Sequence, residues 1–157
     1  MPTSSTRKTN KPAPPKLSLI VQYAGAAGEL PSRAQLRKWA KAALMQDAAV
    51  TLRIVGEAEG RSLNRDFRGK DYATNVLTFV YDDVAPLVGD IVLCAPVAAR
   101  EARQRDIALE RHYTHLVVHG MLHLQGYDHE ADADAAAMEQ LETKIMMQLG
   151  YADPYLA

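Results

Sequence analysis

Cysteine occurs once in the 157 residues, at position 94. A lone cysteine excludes an internal disulfide and a cysteine-built zinc cage, and its expected place is the core, as a small hydrophobe. No apolar run approaches the roughly 18 residues of a membrane span. The N-terminus carries no apolar segment of the kind a secretory signal needs. Acidic residues are missing from "MPTSSTRKTNKPAPPK" (1–16), which is polar, basic and rich in proline. It offers no pattern from which a core could be built, so residues 1–16 are expected to be a disordered tail. These absences suggest a cytoplasmic protein without a membrane partner, whose residues 17–157 form a single domain.

Net charge is also nearly absent, at −1, but its two halves differ. Residues 1–70 hold 13 Lys and Arg against 5 Asp and Glu, and residues 71–157 hold 5 against 14. Such asymmetry permits a basic face for a polyanion, and equally permits the two halves to attract each other within the fold.

Hydrophobic residues make up 48% of the chain, and their periodicity is informative. Strand patterns lie at 17–23, 49–56, 76–81 and 88–94, and helical ones at 31–47, 95–106, 107–125 and 135–149, with a weaker helix at 58–67. Residues 68–75 read as a polar loop. The order β-α-β-α-β-β-α-α-α predicts an α+β fold, a mixed four-stranded sheet packed with about five helices. The strands at 76–81 and 88–94 are close enough in sequence to pair as a hairpin.

The chain holds five histidines, and three of them lie in "HGMLHLQGYDHE" (119–130). On a helical wheel His112, His115, His119 and His123 fall within about 80° of one another. His119 and His123 are one turn apart, so their rings can grip one ion. Gly126 sits where a left-handed residue closes a helix, and the turn through Tyr127 and Asp128 brings back His129. Three imidazoles without a fourth protein ligand make an open, zincin-like metal site. His112 and His115 lie off this spacing and are expected to be satisfied by hydrogen bonds, with His115 a candidate to support a ligand. The spacing H-x3-H-x2-G-x2-H is also that of the metzincin proteases, which carry Glu after the first His as general base. Here that position is Gly120, so proteolysis loses its main support.

"HGMLHLQGYDH" resembles the signature of the YbeY family of bacterial endoribonucleases, the rRNA maturation factors. The resemblance extends through "LNRDFRGKDYATNVLTF" (63–79), "VGDIVLC" (88–94) and "MEQLETKIMMQLG" (138–150), and so covers roughly residues 50–150. Asn75 stands where Asp is common in the family, and Phe67 where Tyr is common. The resemblance implies a zinc-dependent, single-strand-specific endoribonuclease acting in 16S rRNA 3′-end maturation and in quality control of defective 70S ribosomes. By motif position it implies one Zn2+ per chain on His119, His123 and His129, and a functional arginine at Arg68. The implied partners are single-stranded RNA, rRNA and ribosomal particles.

The residues agree chemically with that implication. RNA cleavage places extra negative charge on a phosphoryl oxygen, and a guanidinium such as Arg68 can clamp phosphate bidentately. Arg61, Arg65 and Lys70 can hold flanking phosphates without reading bases, or can form an ordinary solvated basic face. Asp128 can orient a ligand histidine or cap a turn. Asp90 is expected to be structural. Two other functions remain open at the level of sequence. One is a zinc-stapled, non-catalytic module that docks on the ribosome, and the other is a metalloprotease.

Overall fold

A computed structural model of the chain describes residues 13–128 and 131–155. Most of the expected tail, residues 1–12, lies outside the described residues, as do His129 and Glu130. Four strands are present: β1 (Leu17–Ala24), β2 (Ala48–Val55), β3 (Val76–Asp82) and β4 (Leu87–Cys94). Among the described residues the helices are α1 (Arg33–Ala42), α2 (Glu57–Arg68), α3 (Ala95–Gln104), α4 (Leu109–Leu124) and α5 (Asp132–Gln148). The sheet order is β1-β2-β4-β3. β1, β2 and β4 run parallel, and β3 returns antiparallel to β4. This is the mixed α+β sheet with five helices that the periodicity predicts.

The alternation of β4 explains why the sheet is covered on both faces. Leu87, Ile91 and Leu93 belong to the main core with α1, α4 and α5. Val92 and Cys94 belong to a second cluster, joined by Leu63 of α2 and by Leu77 and Phe79 of β3. Burying both faces of a strand requires a near-continuous apolar run, which "IVLC" provides. Cys94 is buried, and desolvation raises its thiol pKa, consistent with an inert core side chain.

Local signals fix the ends of the helices. Ser32 and Gln35 form a reciprocal capping box before α1, which satisfies two donors that the first turn leaves over. α2 is stopped by Gly69, in the left-handed region at φ 70°, a conformation glycine adopts without a Cβ penalty. Arg68 is therefore the last residue of a helix. The sequence reading, which begins a loop at 68, is corrected here, because the weak apolar pattern of α2 is extended by a glycine cap one residue later.

α4 is the central helix. It packs on α1, α3 and α5 and on strands β3 and β4. Close approach to the sheet occurs at Gly120, where a Cβ would lie 3.2 Å from Ile91 Cγ2 and 3.3 Å from Cδ1. The position that carries Glu in a metzincin thus faces a fully buried isoleucine of β4. Its glycine is a packing requirement as well as the absence of a base.

Candidate active site

α4 ends in two hydrogen bonds typical of a glycine-closed helix. Gly126 N–H donates to His123 O at 3.1 Å, and Tyr127 N–H donates to Leu122 O at 3.1 Å, with Gly126 at φ 102°. This is the Schellman closure. It turns the Tyr127 carbonyl back toward the helix, where it accepts from His123 Nδ1 at 2.7 Å. A carbonyl only accepts, so Nδ1 carries the proton and the lone pair of the neutral ring sits on Nε2.

His119 is oriented from another helix. Its Nδ1 lies 2.5 Å from Oε1 of Glu142, a residue of α5 with 0% exposure. The other Glu142 oxygen accepts a short hydrogen bond from Tyr155 Oη and lies 3.7 Å from His115 Nε2. Burial drives the Glu142 carboxyl pKa upward, but hydrogen bonds from His115, His119 and Tyr155 outweigh it and hold the group at about 2. Burial and the Glu142 carboxylate both raise the Tyr155 phenol above its ordinary value, which keeps it a donor. His115 packs edge-on against Tyr155 at 5.5 Å between ring centroids.

The rings of His119 and His123 are 5.9 Å apart between centroids. Both line a cleft of about 560 Å3 together with Arg68, Phe67, Asn75 and Thr78. This pair could hold a metal through Nε2, each ring fixed at Nδ1 by a carboxylate or a carbonyl, the usual arrangement behind a ligating histidine. The donor set fits a borderline first-row ion such as zinc. Among the described residues no group of three His, Cys, Asp or Glu forms a cage. The third expected ligand, His129, lies outside them.

The remaining sequence-derived candidates separate. Arg68 is exposed at the cleft and makes no hydrogen bond or ion pair among the described residues. Arg61 is engaged in a bidentate pair with Asp71, at 2.8 and 2.9 Å. Arg65 reaches Asp66 at 3.3 Å and Asp71 at 4.0 Å. Lys70 is exposed just beyond the glycine cap. Asp128 lies in a separate shallow pocket with Gly126, Tyr127 and Asp134. Asp90 accepts from Tyr81 Oη at 2.7 Å on the neighbouring strand, a structural contact.

Several residues of the site escape sequence reasoning. Glu142 is one, since α5 reads only as a helix with acidic positions. Phe67 is another. It is 66% exposed, yet stands edge-on to Phe79 at 5.2 Å, which leaves an aromatic face at the cleft. His112, by contrast, is satisfied by a hydrogen bond as its position off the metal spacing predicts: it is buried at 2% exposure and bonds Glu101 at 2.8 Å. Desolvation lowers its pKa, with Glu101 opposing. The signal for Phe67 is present in the sequence, as an aromatic directly before the candidate arginine.

The family model described as Endoribonuclease YbeY matches residues 28–150. Endoribonuclease YbeY of Methylobacillus flagellatus is 60% identical over 141 residues, covering 90% of this chain and 95% of its own. That of Nitrosomonas europaea is 55% identical over 161 residues, covering 99% and 98%. The solution structure of TM1509 from Thermotoga maritima aligns with a TM-score of 0.53 at 26% identity, over 88% of this chain and all of that one. With a family model spanning most of the domain and close relatives matched almost end to end, the chain belongs to the YbeY family of endoribonucleases.

Proposed function

We propose that this chain is a zinc-dependent, single-strand-specific endoribonuclease that acts in 16S rRNA 3′-end maturation and in ribosome quality control. The observation that carries the catalytic part is one cleft shared by two Nδ1-anchored imidazoles and an arginine without an ion-pair partner among the described residues. Family membership supports RNA as the substrate, and the ribosomal setting rests on the resemblance of the motifs at 63–79 and 119–129.

His119, His123 and His129 would hold the metal. When bound, it supplies Lewis acidity to a phosphoryl oxygen. Arg68 takes a second oxygen of the same phosphate through its planar fork. Because no ion pair to a described residue has to be broken first, its charge is available as negative charge develops on the phosphate. Phe67 offers its face to an unpaired base, a contact that a stacked duplex cannot make without unstacking. Arg61 and Arg65 already share Asp71 and Asp66, so their place is along the flanking backbone.

Arg68→Ala is the decisive variant. Cleavage of a single-stranded rRNA fragment by the metal-loaded protein should fall by about a hundredfold or more, the scale of losing one electrostatic donor. Melting temperature and metal content should stay at the wild-type level, because the side chain is exposed. Arg68→Lys should restore part of the rate, since an ammonium lacks the fork. Wild-type cleavage should stop with chelator. Cleavage by Arg68→Ala at the wild-type rate defeats the assigned role. A metal-loaded wild type that leaves single-stranded RNA intact favours a ribosome-docking module.

A further inference from the structure

Behind the cleft runs a chain of three polar side chains that the reaction described above does not use. Asn75 lines the cleft. Its backbone carbonyl accepts from Cys94 N–H at 3.0 Å, so the residue is pinned to the end of β4. Its side-chain nitrogen lies 3.0 and 3.3 Å from the two carboxylate oxygens of Glu101 on α3. Glu101 is held in turn by His112 Nε2 at 2.8 Å from the middle of the core.

This chain fixes which way the amide faces. A carboxylate only accepts, so the NH2 group of Asn75 must point at Glu101 and its carbonyl oxygen away from it. Two buried side-chain polar atoms are without partners among the described residues, Asn64 Oδ1 and His112 Nδ1. Asn75 Oδ1 is not one of them and makes no hydrogen bond to a described residue, so solvent reaches it on a residue that lines the cleft. Leaving His112 Nδ1 buried and unpaired is unfavourable. The side chain that bears this burden is the one that locks Glu101.

We propose that Asn75 is a substrate-binding residue whose amide oxygen accepts a hydrogen bond from a ribose 2′-hydroxyl, and that Glu101 and His112 are positioning residues that hold it in that orientation. The proposal rests on the endoribonuclease reading and deepens it. The cleft takes a phosphate at Arg68, and the donor that accompanies every phosphate of RNA, whatever the base, is the 2′-hydroxyl. It is also the group that separates RNA from DNA. A base donor would vary with sequence, whereas this cleft presents an arginine and an aromatic face, which are sequence-tolerant contacts.

The test compares two labelled single strands of identical base sequence, one RNA and one with deoxyribose throughout, uracil kept in both. Affinity is read by anisotropy on the metal-loaded full chain within seconds of mixing, before strands are cut. Wild type should prefer the RNA strand. Asn75→Ala should weaken RNA binding by about threefold to tenfold, the scale of one net hydrogen bond, and leave deoxy-strand binding unchanged. Glu101→Ala should show the same selective loss, which a merely structural defect would not, since that would weaken both strands alike. Equal losses on both strands, or none, for Asn75→Ala overturn the proposal, and that variant decides the matter if Glu101→Ala does not fold. Cleavage of the RNA strand by wild type is scored separately. Its failure would defeat the endoribonuclease reading while the strand preference still reports on Asn75.

Discussion

Removing the Glu142 carboxylate should test both stability and the metal site at once. The group is fully buried on α5 and serves His119 and Tyr155, with His115 at 3.7 Å. Glu142→Ala removes the buried carboxylate that accepts from the partly exposed His119 imidazole and from the exposed Tyr155 phenol. Hydrogen bonds to a charged group contribute about 1.5–3 kcal/mol each, so losing two costs about 3–5 kcal/mol. For a domain of this size each kcal/mol moves Tm by roughly 2–4 °C, so a drop of roughly 10 °C is expected by circular dichroism. Glu142→Gln keeps the shape and one acceptor, and should lose about 1–2 kcal/mol. The same Gln variant should weaken metal binding about 10–100-fold in a competition titration, because the ring of His119 is no longer anchored by charge. The pH dependence has a defined sign. Against the burial that pushes it up, the carboxyl is held at about 2 from an ordinary 4.5. A group depressed on folding stabilises fully above its unfolded value and loses that contribution as pH falls through its folded value. Wild type should therefore lose stability between about pH 4.5 and 2 in a way that Glu142→Gln does not. A Glu142→Ala protein that melts within about 2 °C of wild type would refute the reasoning.

Two other outcomes are expected. Phe67→Ala should reduce single-strand affinity by about 1–3 kcal/mol per stacked base, with Phe67→Tyr close to wild type, measured by anisotropy. An unchanged affinity would remove the stacking role. Gly120→Glu should lower the unfolding free energy measured by urea titration by about 3 kcal/mol or more, because the carboxylate is driven against Ile91, and should confer no peptidase activity on casein. A stable Gly120→Glu protein would show that α4 can shift away from β4.

Local pattern was enough for much of this protein. The 3.6-residue period placed His119 and His123 on one face of a helix, and Gly126 announced the turn that follows. Short apolar runs, alternating at 49–56, located the four strands, and the ordered motifs from 63 to 150 identified the family. These features depend on residues a few positions apart, whose relation is set by backbone geometry alone. What only the tertiary structure decided are partnerships between elements. Glu142 lies 23 positions after His119 and meets it because α5 packs on α4. Glu101 joins Asn75, 26 positions before it, to His112, 11 positions after it. Arg68 reaches the histidine cleft because Gly69 ends α2 there, and Gly120 is read as packing only once Ile91 is seen against it. Periodicity tells which face of a helix is apolar, but the register in which two helices dock is fixed by the interlocking of many side chains at once.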